Sequence, residues 1–432
     1  MKCIKYIVLL ITYGTSFLHR LKSWNFFVIS ICFLFYSSCN IHTEQLNTEG
    51  FSDSLTVSIN LKDTSINTTG ELFDSIEYIF LESSTEESIF SNIDKIEITD
   101  NYYIILDTRT NKLLFFNKDG RFSHSLPQVL ANGDSIFTTL SDFTVNENKE
   151  EILIYDSGIA FDGVIKTDFH GTYKLASRTP MSFNEFALGE GGMFYYKRYS
   201  SKYYKSVESN NENHLLYYVS DSSSIKYLYF SYDSKIINGR DMYDLDHMFT
   251  RSGNKVYFQR PFDYSVYEFN MNGTKSLRID FLFPNYSKFP EDFLRNNKYL
   301  GNRISEFKAP SNKLKIWTIS SYHRVLNSII FNINIVGSKD FSFLYNLKNK
   351  KYYNIENIYS SSISNWMPFF EDRIIAADNK SYYSYITPKL MLQAYRTLGD
   401  RHLKNSPFIL KKIKELTIFS NPILVRLEPR SN

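Results

Sequence analysis

The chain has 432 residues, 22% of them charged and 17% aromatic, with a formal net charge of +3. Lys2, Lys5, Arg20 and Lys22 precede Cys39 and no acidic residue does, so the chain beyond it carries 45 basic against 46 acidic residues, a net of −1. That balance implies no nucleic-acid or polybasic lipid partner, and with Cys3, Cys32 and Cys39 the only cysteines, neither a disulfide nor a cysteine-ligated zinc site is available after Cys39.

Two apolar runs open the chain, residues 4–18 and 24–36, the second ending in Tyr36-Ser37-Ser38-Cys39. A cysteine after small residues at the end of a short apolar core reads as a lipoprotein cleavage site, with the Cys39 thiol lipidated and the product tethered to a membrane outside the cytoplasm. Residues 1–38 are therefore expected to be a signal peptide, with 1–18 an upstream extension. Neither run reaches the roughly 20 apolar residues of a spanning helix. Residues 39–53, polar and small, read as a flexible tether.

From residue 54 the chain reads as a single domain running to 432. Runs at 96–98, 102–106 and 112–116 are separated by turn residues and close on Lys118-Asp119-Gly120, a meander of hairpins. The plan recurs, with expected inner strands at 142–145, 246–249 and 305–309. A period of about 45–60 residues predicts propeller blades. A β-sandwich is disfavoured, because this much β-chain would need two or more such domains and no Pro/Gly/Ser-rich linker divides it. The aromatic stretch 195–204 reads as a solvated blade edge.

Near the C-terminus the period changes to helical. Thr387-Pro388 and Ser406-Pro407 are both expected helix starts, with a hydroxyl cap and proline at the first position, giving helices within residues 388–419. Residues 423–427 then return to strand, as expected of a segment that re-enters a ring to close it. The fold class is thus all-β, a six-bladed β-propeller with a short C-terminal helical excursion before the closing strand.

The ordered residues resemble the six-bladed β-propeller lipoproteins of Bacteroidota. The resemblance is carried by Leu72-Phe73-Asp74-Ser75-Ile76-Glu77-Tyr78, by Ile93-Asp94-Lys95-Ile96, by Leu114-Phe115-Phe116-Asn117-Lys118-Asp119-Gly120, by Phe289-Pro290-Glu291-Asp292-Phe293 and by Asn421-Pro422-Ile423. Many relatives have a Gly-Pro-Gly-Glu-rich loop where this chain reads Leu126-Pro127-Gln128-Val129-Leu130. The resemblance implies a fold and an envelope location. Asn40-Ile41-His42-Thr43-Glu44 lacks the acidic run that resembles a surface-export signal, which favours the periplasmic face of the outer membrane over the cell surface.

No nucleophile elbow, phosphate-cradling glycine loop or His-Glu-x-x-His pair is present. Candidate channel residues are polar positions opening inner strands: Asp142, Asn184 with Glu185, Asp246 with His247, Glu306, and Asn365 beside Trp366. At such positions Asp and Asn commonly satisfy turn amides, and Trp366 is expected in the core between blades. The resulting expectation is a monomeric, lipid-anchored binding or interaction module without a cofactor. Its partner would be a glycan, a peptide or an envelope protein, and not nucleic acid. The alternative is a calcium-type, metal-assisted hydrolase or lyase working in the channel, which would need several convergent oxygen ligands.

Overall fold

Apolar runs alternating with tight turns fold into successive four-stranded antiparallel sheets, and six of them stand in a ring as a six-bladed β-propeller. The computed structural model describes residues 51, 53–59, 61, 65–126, 137–158, 162–178, 183–199, 213–242 and 247–430. Cys39, expected from the sequence to be lipidated, the expected tether up to residue 50 and Asp246 lie outside the described residues, as does most of the segment 126–134.

The first strands in the chain serve sheets that form later. Strand β1 (Asp53–Ser58) and β2 (Asn67–Thr68) precede a short helix α1 (Thr69–Leu72) and β3 (Phe73–Phe80). Blade 1 then follows as β4 (Lys95–Ile98), β5 (Tyr102–Asp107), β6 (Lys112–Asn117) and β7 (Phe122–Ser125). Blade 2 comprises β8 (Leu140–Asn146), β9 (Glu151–Ser157), β10 (Asp162–Asp168) and β11 (Tyr173–Arg178). Blade 3 comprises β12 (Glu185–Gly189), β13 (Gly192–Tyr196), β14 (His214–Ser220) and β15 (Ile225–Ser231).

Blade 4 comprises β16 (Phe249–Ser252), β17 (Lys255–Phe258), β18 (Ser265–Asn270) and β19 (Lys275–Leu282), with β1 added in parallel along β19 and covering its free edge. Blade 5 comprises β20 (Ile316–Val325), β21 (Ser328–Ile335), β22 (Phe341–Asn346) and β23 (Lys351–Asn354). The two-residue β24 (Ile358–Tyr359) pairs with β2.

Blade 6 joins the two ends of the chain. Its strands are β25 (Ala376–Ala377), β26 (Tyr382–Ile386), β27 (Ile423–Pro429) and, outermost, β3, paired antiparallel from Ile423 opposite Phe80 to Pro429 opposite Phe73. The sequence-based expectation that a C-terminal strand closes the ring describes this seam. Between β26 and β27 run α3 (Pro388–Leu398) and α4 (Pro407–Glu415). Thr387 caps α3, its hydroxyl accepting from the Leu390 amide at 3.4 Å. Ser406 does not repeat the device: its hydroxyl donates to Asn365 Oδ1 instead.

Blades stack face to face, so their middle strands are buried on both sides and read as unbroken apolar runs. Among the described residues six buried apolar clusters lie one at each junction between neighbouring blades, and a seventh gathers Phe262, Phe289, Phe293 and Val336. Tyr195 and Tyr196 are buried in this way on β13, so the expected solvated edge at 195–204 is corrected over its described part.

Two expected inner strands are displaced. That of blade 4 is Phe249–Ser252, three residues later than read. The segment around 305–309 is helix α2 (Arg303–Lys308), because Arg303 and Phe307 share a helical face that packs inward. Arg303 is fully buried there, its guanidinium donating to the carbonyls of Phe293, Ile236 and Asn296, with Asp241 Oδ2 at 3.3 Å. The inner strand of blade 5 is instead the long β20, interrupted by irregularities between Ile316 and Thr318 and between Ser320 and His323.

Candidate functional site

The inner strands β4, β8, β12, β16, β20 and β25 stand nearest the ring axis, and charged and polar side chains line the cavities found there. A cavity of about 880 Å³ opens at the end carrying the turns that follow these strands, where Asp100, Glu147, Asn254 and Asn379 form its rim. It continues inward to Lys95, Glu97, Arg251, His323 and Arg373. A second cavity of about 820 Å³ lies against blades 5 and 6, and the two share His247, Ser321 and Arg373.

A charged cluster bridges blades 1 to 3. Lys95 Nζ, at the start of β4, stands 2.7 Å from Asp142 Oδ1 on β8. The same oxygen accepts the Phe143 amide at 2.8 Å, and Oδ2 accepts the Phe186 amide of blade 3 at 3.2 Å. Glu185 Oε2 accepts the Met248 amide at 2.8 Å. Burial first, and the Asp142 charge second, push the Glu185 carboxyl up to about 8. Burial works against the Lys95 charge, but Asp142, Glu97 and Glu185 outweigh it and the ammonium is held above its ordinary value. Glu97 is raised by burial and by Asp142, against the pull of Lys95 and Arg251.

The opposite wall is basic. Arg251 Nη1 donates to the Val145 carbonyl at 3.1 Å. Among the described residues, neither Arg251 nor Arg373 has a carboxylate within ion-pair distance, and the Arg373 guanidinium makes no hydrogen bond. His323 on β20 is 4% exposed, and its Nδ1 has no hydrogen-bond partner. Burial pushes its imidazole down to about 3, with Arg373 acting in the same direction and a backbone hydrogen bond to Ile374 opposing.

Of the residues singled out from sequence, Asp142 and Glu185 meet in the charged cluster and His247 lines both cavities. Asn184 sits beside them but turns its Oδ1 to the Arg198 amide at 2.9 Å. Glu306 is corrected: it is exposed on α2, away from the axis, because its segment is helical. Asn365 and Trp366 both adopt positive φ after a single helical turn. Trp366 is 48% exposed, so it is not core between blades.

Lys95, Glu97, Arg251, His323 and Arg373 are the channel residues that sequence reasoning missed. Arg251 follows from the three-residue misplacement of β16, and His323 from placing the inner strand of blade 5 at 305–309 and not at β20. A calcium-type centre would need several oxygen donors at one point, and among the described residues no group of three or more His, Cys, Asp or Glu side chains gathers in that way. Asp142 is committed to Lys95 and two amides, so the residues present do not fit such an ion. Among the described residues no helix is long and apolar enough to cross a membrane.

Comparison with known proteins adds the fold relatives. A crystal structure from Bacteroides fragilis NCTC 9343, named "putative exported protein", superposes with a TM-score of 0.65 at 17% identity, covering 88% of this chain and 100% of that one. A member of the duf4221 family from Bacteroides vulgatus gives a TM-score of 0.45 at 11% identity, covering 83% and 98% of the two chains. Among curated proteins nothing matches. Residues 53–428, from the edge strand β1 through the closing strand, match the family described as Domain of unknown function (DUF4934), and the chain belongs to that family.

Proposed function

We propose that this protein is a lipid-anchored envelope protein whose propeller binds a small polar ligand in its central channel. The observation that carries the reading is the cavity of about 880 Å³, a volume typical of small-molecule sites, lined by polar side chains from five blades. The polar wall needs no metal to hold a ligand, since charged and hydrogen-bonding groups of both signs already converge there. The calcium-type hydrolase gains no support from this donor geometry.

The lipid anchor rests on Cys39 and its flanking residues. The exported character named for the Bacteroides fragilis protein is in keeping with it, as is attachment to the outer membrane on its periplasmic face. Asp142 and Glu185 would act from behind the lining, Asp142 by holding Lys95, and His247 would stand at the passage between the two cavities.

The test is native mass spectrometry of the full chain against a library of small polar molecules, repeated with a folded Ala377→Trp, a bulky side chain at a cavity-lining position of β25. A ligand seen with the wild type and lost in that variant supports the reading. Equal binding by both, or no ligand at all, refutes it. In cells, incorporation of a labelled fatty acid that disappears in Cys39→Ala tests the anchor separately.

A further inference from the structure

We propose that the wide cavity is a seat for a small hydroxylated anion, with its carboxylate or phosphate held by Arg373 and one of its hydroxyls donated to His323 Nδ1. This rests on the channel being the ligand seat and adds the ligand's chemistry.

The argument is one of spent and unspent groups. Most carboxylates on the lining are already engaged, the exposed Asp100 at the rim apart: Asp94 Oδ2 accepts the Thr108 amide at 2.7 Å, and Glu147 accepts the Asp100 amide. Asp378 Oδ2 accepts the Tyr383 hydroxyl at 2.6 Å, while Oδ1 takes two backbone amides. Burial makes Glu97 reluctant to ionise. Arg373, by contrast, lines both cavities with its donors uncommitted among the described residues. A guanidinium presents a planar fork that matches a carboxylate or phosphate with two parallel hydrogen bonds.

His323 supplies the second, independent feature. Its ring is buried, which disfavours the charged imidazolium. Its Nδ1 stands without a hydrogen-bond partner, and in the neutral tautomer protonated at Nε2 that atom is an acceptor. A buried acceptor beside a free guanidinium asks for a ligand that brings both a negative charge and an O–H donor.

Titration calorimetry on the full chain tests this with gluconate, glucuronate, glycerol 3-phosphate and glucose 6-phosphate as hydroxylated anions. Sorbitol supplies hydroxyls without charge, and hexanoate charge without hydroxyls. At least one hydroxylated anion is expected to bind ten times or more tightly than both controls, with carboxylates and phosphates distinguished by which arm responds. Arg373→Gln should cost that anion at least tenfold, Arg373→Lys less, and His323→Phe should remove its advantage over hexanoate.

Sorbitol binding as well as every anion, or unchanged affinity in a folded Arg373→Gln, overturns the proposal. If sorbitol binds and Ala377→Trp abolishes it, the channel reading stands and only the anion fails. Silence from the whole panel in the millimolar range sinks this inference, whereas the broader library still decides the channel reading.

Discussion

Lys95 and Asp142 form a 2.7 Å ion pair across the junction of blades 1 and 2, close to the ring axis, with side chains 22% and 8% exposed. Removing one partner of such a pair leaves a desolvated charge behind, which costs more than the pair itself contributes. Lys95→Met should therefore destabilise the protein by about 2–3 kcal/mol, the lower side of the buried-pair range because the ammonium keeps some water contact. Lys95→Met with Asp142→Leu should recover part of that loss. Urea unfolding of the two variants measures both, and a single variant within about 0.5 kcal/mol of wild type would mean that the pair is effectively solvated.

Glu185 sets a pH dependence of known sign. Its carboxyl titrates near 8 in the folded protein against an ordinary value of 4.5, so the folded state keeps a proton that the unfolded chain has lost. The stabilisation is complete below about 4.5 and is lost as the pH rises towards 8, at about 1 kcal/mol per unit. Glu185→Gln keeps an acceptor for the Met248 amide without the ionisation. Its stability should fall behind or match wild type at pH 5 and exceed it at pH 8. Parallel stability curves for the two proteins between those values would remove Glu185 as the cause.

The ring was legible because its signals are local. Alternating runs, Asn-x-x-Gly turns and a terminal strand after two Pro-started helices each announce an element within about ten residues. Of the charged cluster beside the channel, the pattern reached Asp142 and Glu185, polar residues near the start of strands. His323 was hidden because bulges around Ser320 and Ser321 break the two-residue period that marks a strand, and Ser321 itself has a φ of 48°. Arg373 lies on the connection into β25, where no period exists to show which side faces the axis. Glu306 misled for the opposite reason: a six-residue amphipathic turn carries too few positions to separate helix from strand.

One side-chain amide reinforces the strand ladder of the closing seam. Asn421 is 2% exposed and donates from Nδ2 to the carbonyls of Glu82 and Ser88, at 2.6 and 2.8 Å, while its Oδ1 accepts the Phe90 amide at 3.2 Å. These bonds tie the start of β27 to the connection between β3 and blade 1. Asn421→Ala would leave two buried backbone groups and one half-buried one without these partners, and the expected loss is about 2–4 kcal/mol. Hydrogen exchange should show it first at the amides of β27 and β3. Uniform loss of protection over all six blades would instead mean that the seam has no separate opening.

The turns from third to fourth strand repeat one backbone demand around the ring. Gly120, Gly171, Ser223, Gly273 and Lys350 occupy it in blades 1 to 5, all with φ between 57° and 88°. Blade 6 has no such turn, since its third and fourth strands come from opposite ends of the chain. Three blades meet the demand with glycine, and two of these are also tight: a Cβ on Gly120 would stand 2.3 Å from the Phe80 carbonyl oxygen, and one on Gly273 2.4 Å from the Tyr218 ring. Ser223 and Lys350 are exposed and adopt the left-handed conformation at a steric cost of about 1 kcal/mol. Ser223→Gly and Lys350→Gly should each raise stability by about 0.5–1 kcal/mol, the strain relieved less the added freedom of the unfolded chain. Gly273→Ala should lower it by about 2 kcal/mol or more, because strain and overpacking against Tyr218 add. Denaturant midpoints compare all three, and a destabilising Lys350→Gly would show that its side chain makes a contact worth more than the strain it bears.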